Sequence, residues 1–171
     1  EAVGPIQCLM AMGFMGLGAY LLVGLFSAKP PKGAIWQVVA AYAPPQFEIE
    51  GYMLEHDGWE YSLDYDAAVK VASQDNTDML LDITGVNCVN CRQMERVVLS
   101  QNDVHNVRED LVRVQLYTDT VPGVSRSNGD HDRLLKRNQD LQLSWMKDVA
   151  IPMYVIATPD GSEVLAAFKG K

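Results

Sequence analysis

Charge is missing from the first part of this chain: between Ala2 and Ala28 there is no Asp, Glu, Lys or Arg. The net charge of −8 therefore belongs, Glu1 apart, to the residues that follow. Basic residues are scarce, 14 Lys and Arg against 22 Asp and Glu. That balance excludes the clustered cationic surface with which proteins neutralise phosphates, so nucleic acid is not an expected partner. Cysteine is sparse as well. Of three cysteines, Cys88 and Cys91 are three residues apart and Cys8 lies in the uncharged segment. This is not the framework of a small disulfide-stapled secreted protein. His56, His105 and His131 show no paired spacing, which removes the usual second half of a zinc site. Position 92 is Arg rather than His, and c-type haem attachment requires His there.

The uncharged stretch itself is informative. Ile6 to Ala28 is long enough for the roughly 20 apolar residues that cross a bilayer core. Gly13, Gly16, Gly18 and Gly24 supply small residues that suit close packing against neighbouring transmembrane helices. A signal peptide would carry a basic leading region and a shorter apolar core. A soluble core helix would be weakened by so many glycines. The segment therefore reads as a transmembrane helix, with Cys8 as a small apolar residue facing the membrane. Lys29-Pro30-Pro31-Lys32-Gly33 forms a boundary, because two prolines stop a helix and lysines reach lipid headgroups. Ile35 to Tyr42 reads as a short interfacial helix anchored by Trp36 and Tyr42. Pro44-Pro45 begins a linker. The resulting division is a transmembrane helix over 1–28, a Pro-rich hinge and linker over 29–50, and a folded domain over 51–171. The chain starts at Glu1, without Met, and reads as part of something longer.

The folded domain alternates strand and helix signals. Trp59 to Leu63 is an expected edge strand, followed by a helix capped by Ser62 or Asp64. Met79 to Ile83 is a short and nearly continuous apolar run, the signature of a buried central strand. A turn at Thr84-Gly85 leads to the cysteines, and a helix follows through Met94, Val97, Val98 and Leu99. Leu111 to Tyr117 alternates as a strand, Val121 to Asp130 is loop-like, and Asp132 to Met146 is helical. Met153 to Ala157, a Pro159-Asp160-Gly161 turn and Val164 to Phe168 make a hairpin. The order predicts an α/β fold, a mixed sheet flanked by helices. A helix that would cover the sheet after the last strand is absent from this sequence.

A Cys-x-x-Cys pair alone is ambiguous between metal, haem and redox chemistry. Its place is what favours redox. Cys88 follows a buried strand and opens a helix, where free backbone N–H groups and the helix dipole stabilise a thiolate. Cys91, about one turn further in, is positioned to resolve a mixed disulfide. Arg92 adds positive charge, though an exposed Arg there is usually only solvated. Asp82 stands six residues before Cys88 in an apolar strand, where a buried carboxylate is costly unless it works. It is a candidate proton acceptor for Cys91, the plainer alternative being a wet, inert Asp at the strand end. Pro152 precedes a strand, and a cis bond there would bring backbone against the cysteine pair. No cofactor is required beyond the pair itself.

The segment Leu80-Leu81-Asp82-Ile83-Thr84-Gly85-Val86-Asn87-Cys88-Val89-Asn90-Cys91-Arg92-Gln93-Met94-Glu95, with Ile151-Pro152 and the closing hairpin, resembles the thioredoxin superfamily. Within it the sequence is most similar to the C-terminal domain of DsbD-type membrane thiol:disulfide interchange proteins, and the apolar span resembles that family's last transmembrane helix. The resemblance implies a thioredoxin-like sheet, Cys88 as attacking thiol, Cys91 as resolving thiol, Asp82 as buried acid and Pro152 as cis-proline. It also implies electrons received from a membrane core of the same protein and passed to disulfide-bearing partners outside the cytoplasm. The location would be a bacterial inner membrane with the domain in the periplasm, whereas Lys29 and Lys32 taken alone would favour a cytoplasmic position for this end under the positive-inside rule, a weak rule for a single span. Asn87 stands where many thioredoxins have Trp, so the substrate face differs. An oxidase or isomerase on the same fold, or a metal-binding module using the two thiolates, are the alternatives.

Overall fold

The computed structural model describes residues 4–26, 33–42, 47–56 and 58–170. The Lys29–Lys32 boundary and the Pro44-Pro45 linker lie outside these. The chain divides into two units, Glu1–Tyr42 and Ala43–Lys171. In the first, helix α1 spans Pro5–Phe26 and α2 spans Ala34–Tyr42. Helix α1 is 22 residues long with a mean hydropathy of 2.0 over its most apolar window, sufficient in length and composition for a membrane anchor or a signal sequence. Its large side chains, such as Phe14, Met15 and Phe26, are exposed, whereas Gly24 is buried. A Cβ on Gly24 would run into the Trp36 ring of α2, so a side chain at 24 would prise these two helices apart.

The second unit holds a seven-stranded sheet in the order β1-β2-β3-β5-β4-β6-β7. Strands β1 (Glu48–Glu50), β2 (Met53–His56) and β3 (Trp59–Ser62) form an antiparallel meander. Strand β3 then runs parallel to β5 (Val112–Tyr117), which runs parallel to β4 (Met79–Thr84). Strand β6 (Met153–Ala157) is antiparallel to β4 and to β7 (Val164–Lys169). The Trp59 strand is therefore not an edge. Strands β1 and β2 continue the sheet beyond it, and the sequence reading had neither.

Strand period sets the two faces of the sheet. Met79, Leu81 and Ile83 of β4 share one core with Val114 and Leu116 of β5 and Met153 and Val155 of β6. Helices α3 (Tyr65–Asp75) and α6 (Asp130–Met146) contribute Ala68, Ala72 and Leu141 to it. Asp64, rather than Ser62, caps α3, its carboxylate accepting from the Asp66 and Ala67 amides at 3.0 and 3.2 Å; such a cap is worth about 1 kcal/mol. The alternate residues of the same strands point to the opposite side. Here lie α4 (Val89–Met94), a π-helical turn over Glu95–Leu99 that continues it, and α5 (Asn102–Glu109), which the sequence reading lacked. All six residues of β7 are exposed, and among the described residues no helix follows it.

Candidate active site

The cysteine pair sits where β4 hands the chain to α4. Gly85 makes this turn possible, since a Cβ there would meet Ile151 Cδ1 at 3.0 Å and the Asp119 carboxyl carbon at 3.2 Å. Asp119, just past β5, accepts hydrogen bonds from the Val86 and Asn87 amides, both at 2.9 Å. Arg92 is buried rather than solvated, and its guanidinium donates to the Val86 carbonyl. The approach to Cys88 is thus held from both sides, by a carboxylate on its amides and a guanidinium on its carbonyl.

Cys88 occupies the N-cap of α4, its Sγ accepting from the Cys91 amide at 3.1 Å. The two cysteines are joined as a disulfide, with Cα atoms 5.3 Å apart. They differ in access. Cys88 is half-buried and lines a shallow cavity of about 410 Å³ together with Asn87, Asn90, Asp119 and Ile151, whereas Cys91 is fully buried. The Ile151–Pro152 bond is cis, and Pro152 is buried beside the mouth that Ile151 lines.

Asp82 is 1% exposed, which removes the alternative of a wet carboxylate. It lies on the helix-α4 side of the sheet, directly across from Gln115 on β5 and Tyr154 on β6. Gln115 is the pivot of a buried polar cluster. Its amide nitrogen donates to Asp82 Oδ2 at 3.0 Å and to Glu95 Oε1 at 3.3 Å, while its carbonyl accepts from the Tyr117 hydroxyl at 3.0 Å. The other Asp82 oxygen, Oδ1, is buried with no hydrogen-bond partner. Glu95 follows Cys91 by one helical turn, its amide bonded to the Cys91 carbonyl, so Cys91 and Glu95 face the same way. Burial, reinforced by the Glu95 charge, pushes the Asp82 carboxyl up to about 8. Burial and the two acids also raise the Tyr117 and Tyr154 hydroxyls.

Three members of this cluster, Glu95, Gln115 and Tyr117, escaped the sequence reading. Glu95 carried a signal, being four residues after Cys91 and on the same helical face. Gln115 could have been found only from the strand register. Cys8 stands apart, exposed on α1. Among the described residues no group of three or more His, Cys, Asp or Glu side chains is placed to hold a metal ion.

This geometry, a disulfide opening a helix after a central strand with a buried acid behind it, agrees with comparison to known proteins. The family model for thioredoxin-like proteins matches residues 59–159. The chain belongs to the thioredoxin-like family. Among solved structures it is similar to a DsbH oxidoreductase, at 20% identity, over 82% of this chain and 80% of that one, with a TM-score of 0.49. A thioredoxin from Thermus thermophilus is 21% identical, over 62% of this chain and 72% of its own, with a TM-score of 0.47. The oxidised C-terminal domain of DsbD from Neisseria meningitidis is 18% identical, over 61% and 79%, with a TM-score of 0.42. No curated protein matches the chain. The thioredoxin-like fold and the Cys88–Cys91 pair are together consistent with a thiol:disulfide oxidoreductase.

Proposed function

We propose that this protein reduces disulfides of other proteins outside the cytoplasm, held to a bacterial inner membrane by α1 with its folded domain in the periplasm. The observation that carries the reading is the inequality of the two sulfurs. Cys88 is reachable at a helix N-terminus, and Cys91 is sealed on a helix face that also carries an acid of the Asp82 cluster. The reduced pair would act in two steps. Cys88 thiolate attacks a partner disulfide, forming a mixed disulfide and releasing one partner thiolate. Cys91 then gives its proton to Asp82 and attacks the Cys88 sulfur. The second partner thiolate leaves with the electron pair and takes a proton from water, and the Cys88–Cys91 disulfide closes. Ile151, joined to Pro152 by the cis bond, lines the cavity in which the partner's strand would lie.

Electron supply from a membrane core of the same protein is supported by the sequence resemblance of the 80–95 segment to DsbD-type C-terminal domains and by the apolar helix that precedes it. Direction is the quantity to measure. Equilibrating the pair in thiol buffers and counting alkylated cysteines by mass gives its potential. A value near or below roughly −230 mV supports a reductase, and one near roughly −120 mV makes the protein an oxidant. Failure to form the disulfide at any poise removes the redox reading altogether.

A further inference from the structure

His56 lies at the end of β2, three residues before the family match begins, in the part of the sheet that the sequence reading did not foresee. Its Nε2 is 3.4 Å from Glu95 Oε2, with both side chains largely buried, at 13% and 9% exposure. Its ring meets Phe47 edge-on at 5.6 Å, and Phe47 in turn meets Tyr117 at 5.9 Å. A continuous set of contacts therefore links His56 to Glu95, Glu95 to Gln115, and Gln115 to Asp82.

The groups that act on Asp82 come from every element around it. Glu95 is on the π-helical turn, Arg108 on α5 and His56 on β2. The hydroxyls of Tyr117 on β5 and Tyr154 on β6 feel both acids, and Tyr61 on β3 holds the buried Arg108 guanidinium. Arginine keeps its charge at all working pH, and tyrosine stays neutral. Histidine is the side chain whose ordinary pKa, about 6.5, puts its charge change near neutrality. Among the groups that act on Asp82, His56 is thus the one whose side-chain type ordinarily changes charge near neutrality.

We propose that His56 controls the proton balance of Asp82 through Glu95, so that closure of the Cys88–Cys91 disulfide responds to pH across the ordinary histidine range. The proposal rests on the redox reading given above. Protonated, His56 offsets the Glu95 charge and eases ionisation of Asp82, the form that accepts the Cys91 proton. Neutral, it leaves Glu95 uncompensated and Asp82 harder to ionise. As pH rises, the growing tendency of Asp82 to ionise is opposed by the loss of charge on His56. The exchange rate is flattened over a range where a lone buried carboxylate would give a steep rise. His56 touches neither sulfur nor partner and is a positioning residue.

The test follows the second step alone. The full chain carrying Cys8→Ser in every variant, so that the exposed free thiol of α1 does not react, is reduced in detergent micelles and mixed with a dinitrobenzoate disulfide reagent, which releases one coloured thiolate on attack by Cys88 and a second on closure by Cys91. The slow phase is recorded from pH 5 to 9 for wild type, His56→Gln and His56→Lys. His56→Gln should be about 3- to 10-fold slower than wild type near pH 5.5 and equal to it near pH 8, as a neighbouring cation lowers a carboxyl by about one pKa unit or less at this remove. His56→Lys, permanently charged, should match wild type near pH 5.5 and exceed it by a similar factor near pH 8. In a Glu95→Gln background both differences should shrink below about twofold, because the coupling partner is gone. A His56→Gln ratio that is the same at pH 5.5 and pH 8 overturns the proposal, as does a full effect persisting without Glu95. Absence of any exchange in wild type, by contrast, overturns the redox reading on which it rests.

Discussion

The two ends of one disulfide meet two kinds of order. In front of Cys88 the amides of the turn Gly85–Asn87 are held by the exposed carboxylate of Asp119, with solvent at the cavity mouth, and the buried Arg92 donates to the Val86 carbonyl. Behind Cys91 the polar atoms are sealed, with Asp82 and Gln115 each 1% exposed and bonded to one another. Water can replace a lost bond at the front, but it cannot do so at the back. Polar groups at the front therefore set shape at modest energetic cost, whereas those at the back are strongly coupled and shift each other's protonation.

Breaking the disulfide separates the two ends most sharply. Cys88→Ser should abolish exchange outright. Cys91→Ser should keep the first attack and accumulate the mixed disulfide with a partner peptide, visible by mass spectrometry, with turnover falling to background. Equal loss of the adduct in both variants would erase the distinction between attacking and resolving sulfurs.

Asp82→Asn probes the back. Disulfide closure should slow by about 100-fold, the ordinary scale for a lost general base, measured as the second phase of thiolate release. Stability should move the other way. An Asp raised to about 8 keeps a proton that the unfolded chain gives up above about pH 4. Unfolding free energy of the wild type therefore falls as pH rises from about 4 to 8. Denaturant titrations at several pH values should show Asp82→Asn gaining on wild type across that window, and parallel curves would place Asp82 in water. Asp119→Ala probes the front and should be the mildest. Its hydrogen bonds to Val86, Asn87 and Thr120 are exposed, so about 1–2 kcal/mol of stability should be lost at neutral pH, read as a lower denaturant midpoint.

The front was far more legible in the sequence than the back. A cysteine pair after the apolar run Met79–Ile83 is a local pattern, and Asp82, Pro152 and the closing hairpin could each be read from their near neighbours. The structure seals Asp82 on the side of the sheet that α4 covers, but its partners come from separated elements. Gln115 is across the ladder from Asp82, Glu95 is beyond the expected catalytic residues, and His56 is on a strand of four residues. Strands as short and as charged as Glu48–Glu50 and Met53–His56 have too little apolar alternation to announce themselves. Helix α5 was hidden for a related reason: the sequence Asn-Asp-Val-His-Asn-Val-Arg-Glu has two apolar residues and no side-chain cap.

Asp82 is built into β4, a strand buried at all six positions and paired on both sides, parallel to β5 and antiparallel to β6. Such a strand belongs to the last cooperative unit of a domain to open, so freeing it costs nearly as much as unfolding the domain entirely. The turn before Cys88 can fray alone. The proton transfer proposed for Asp82 is thereby separated from the breathing of the backbone. It must run through side chains in the intact fold, and its speed is set by their chemistry rather than by rare excursions of the chain.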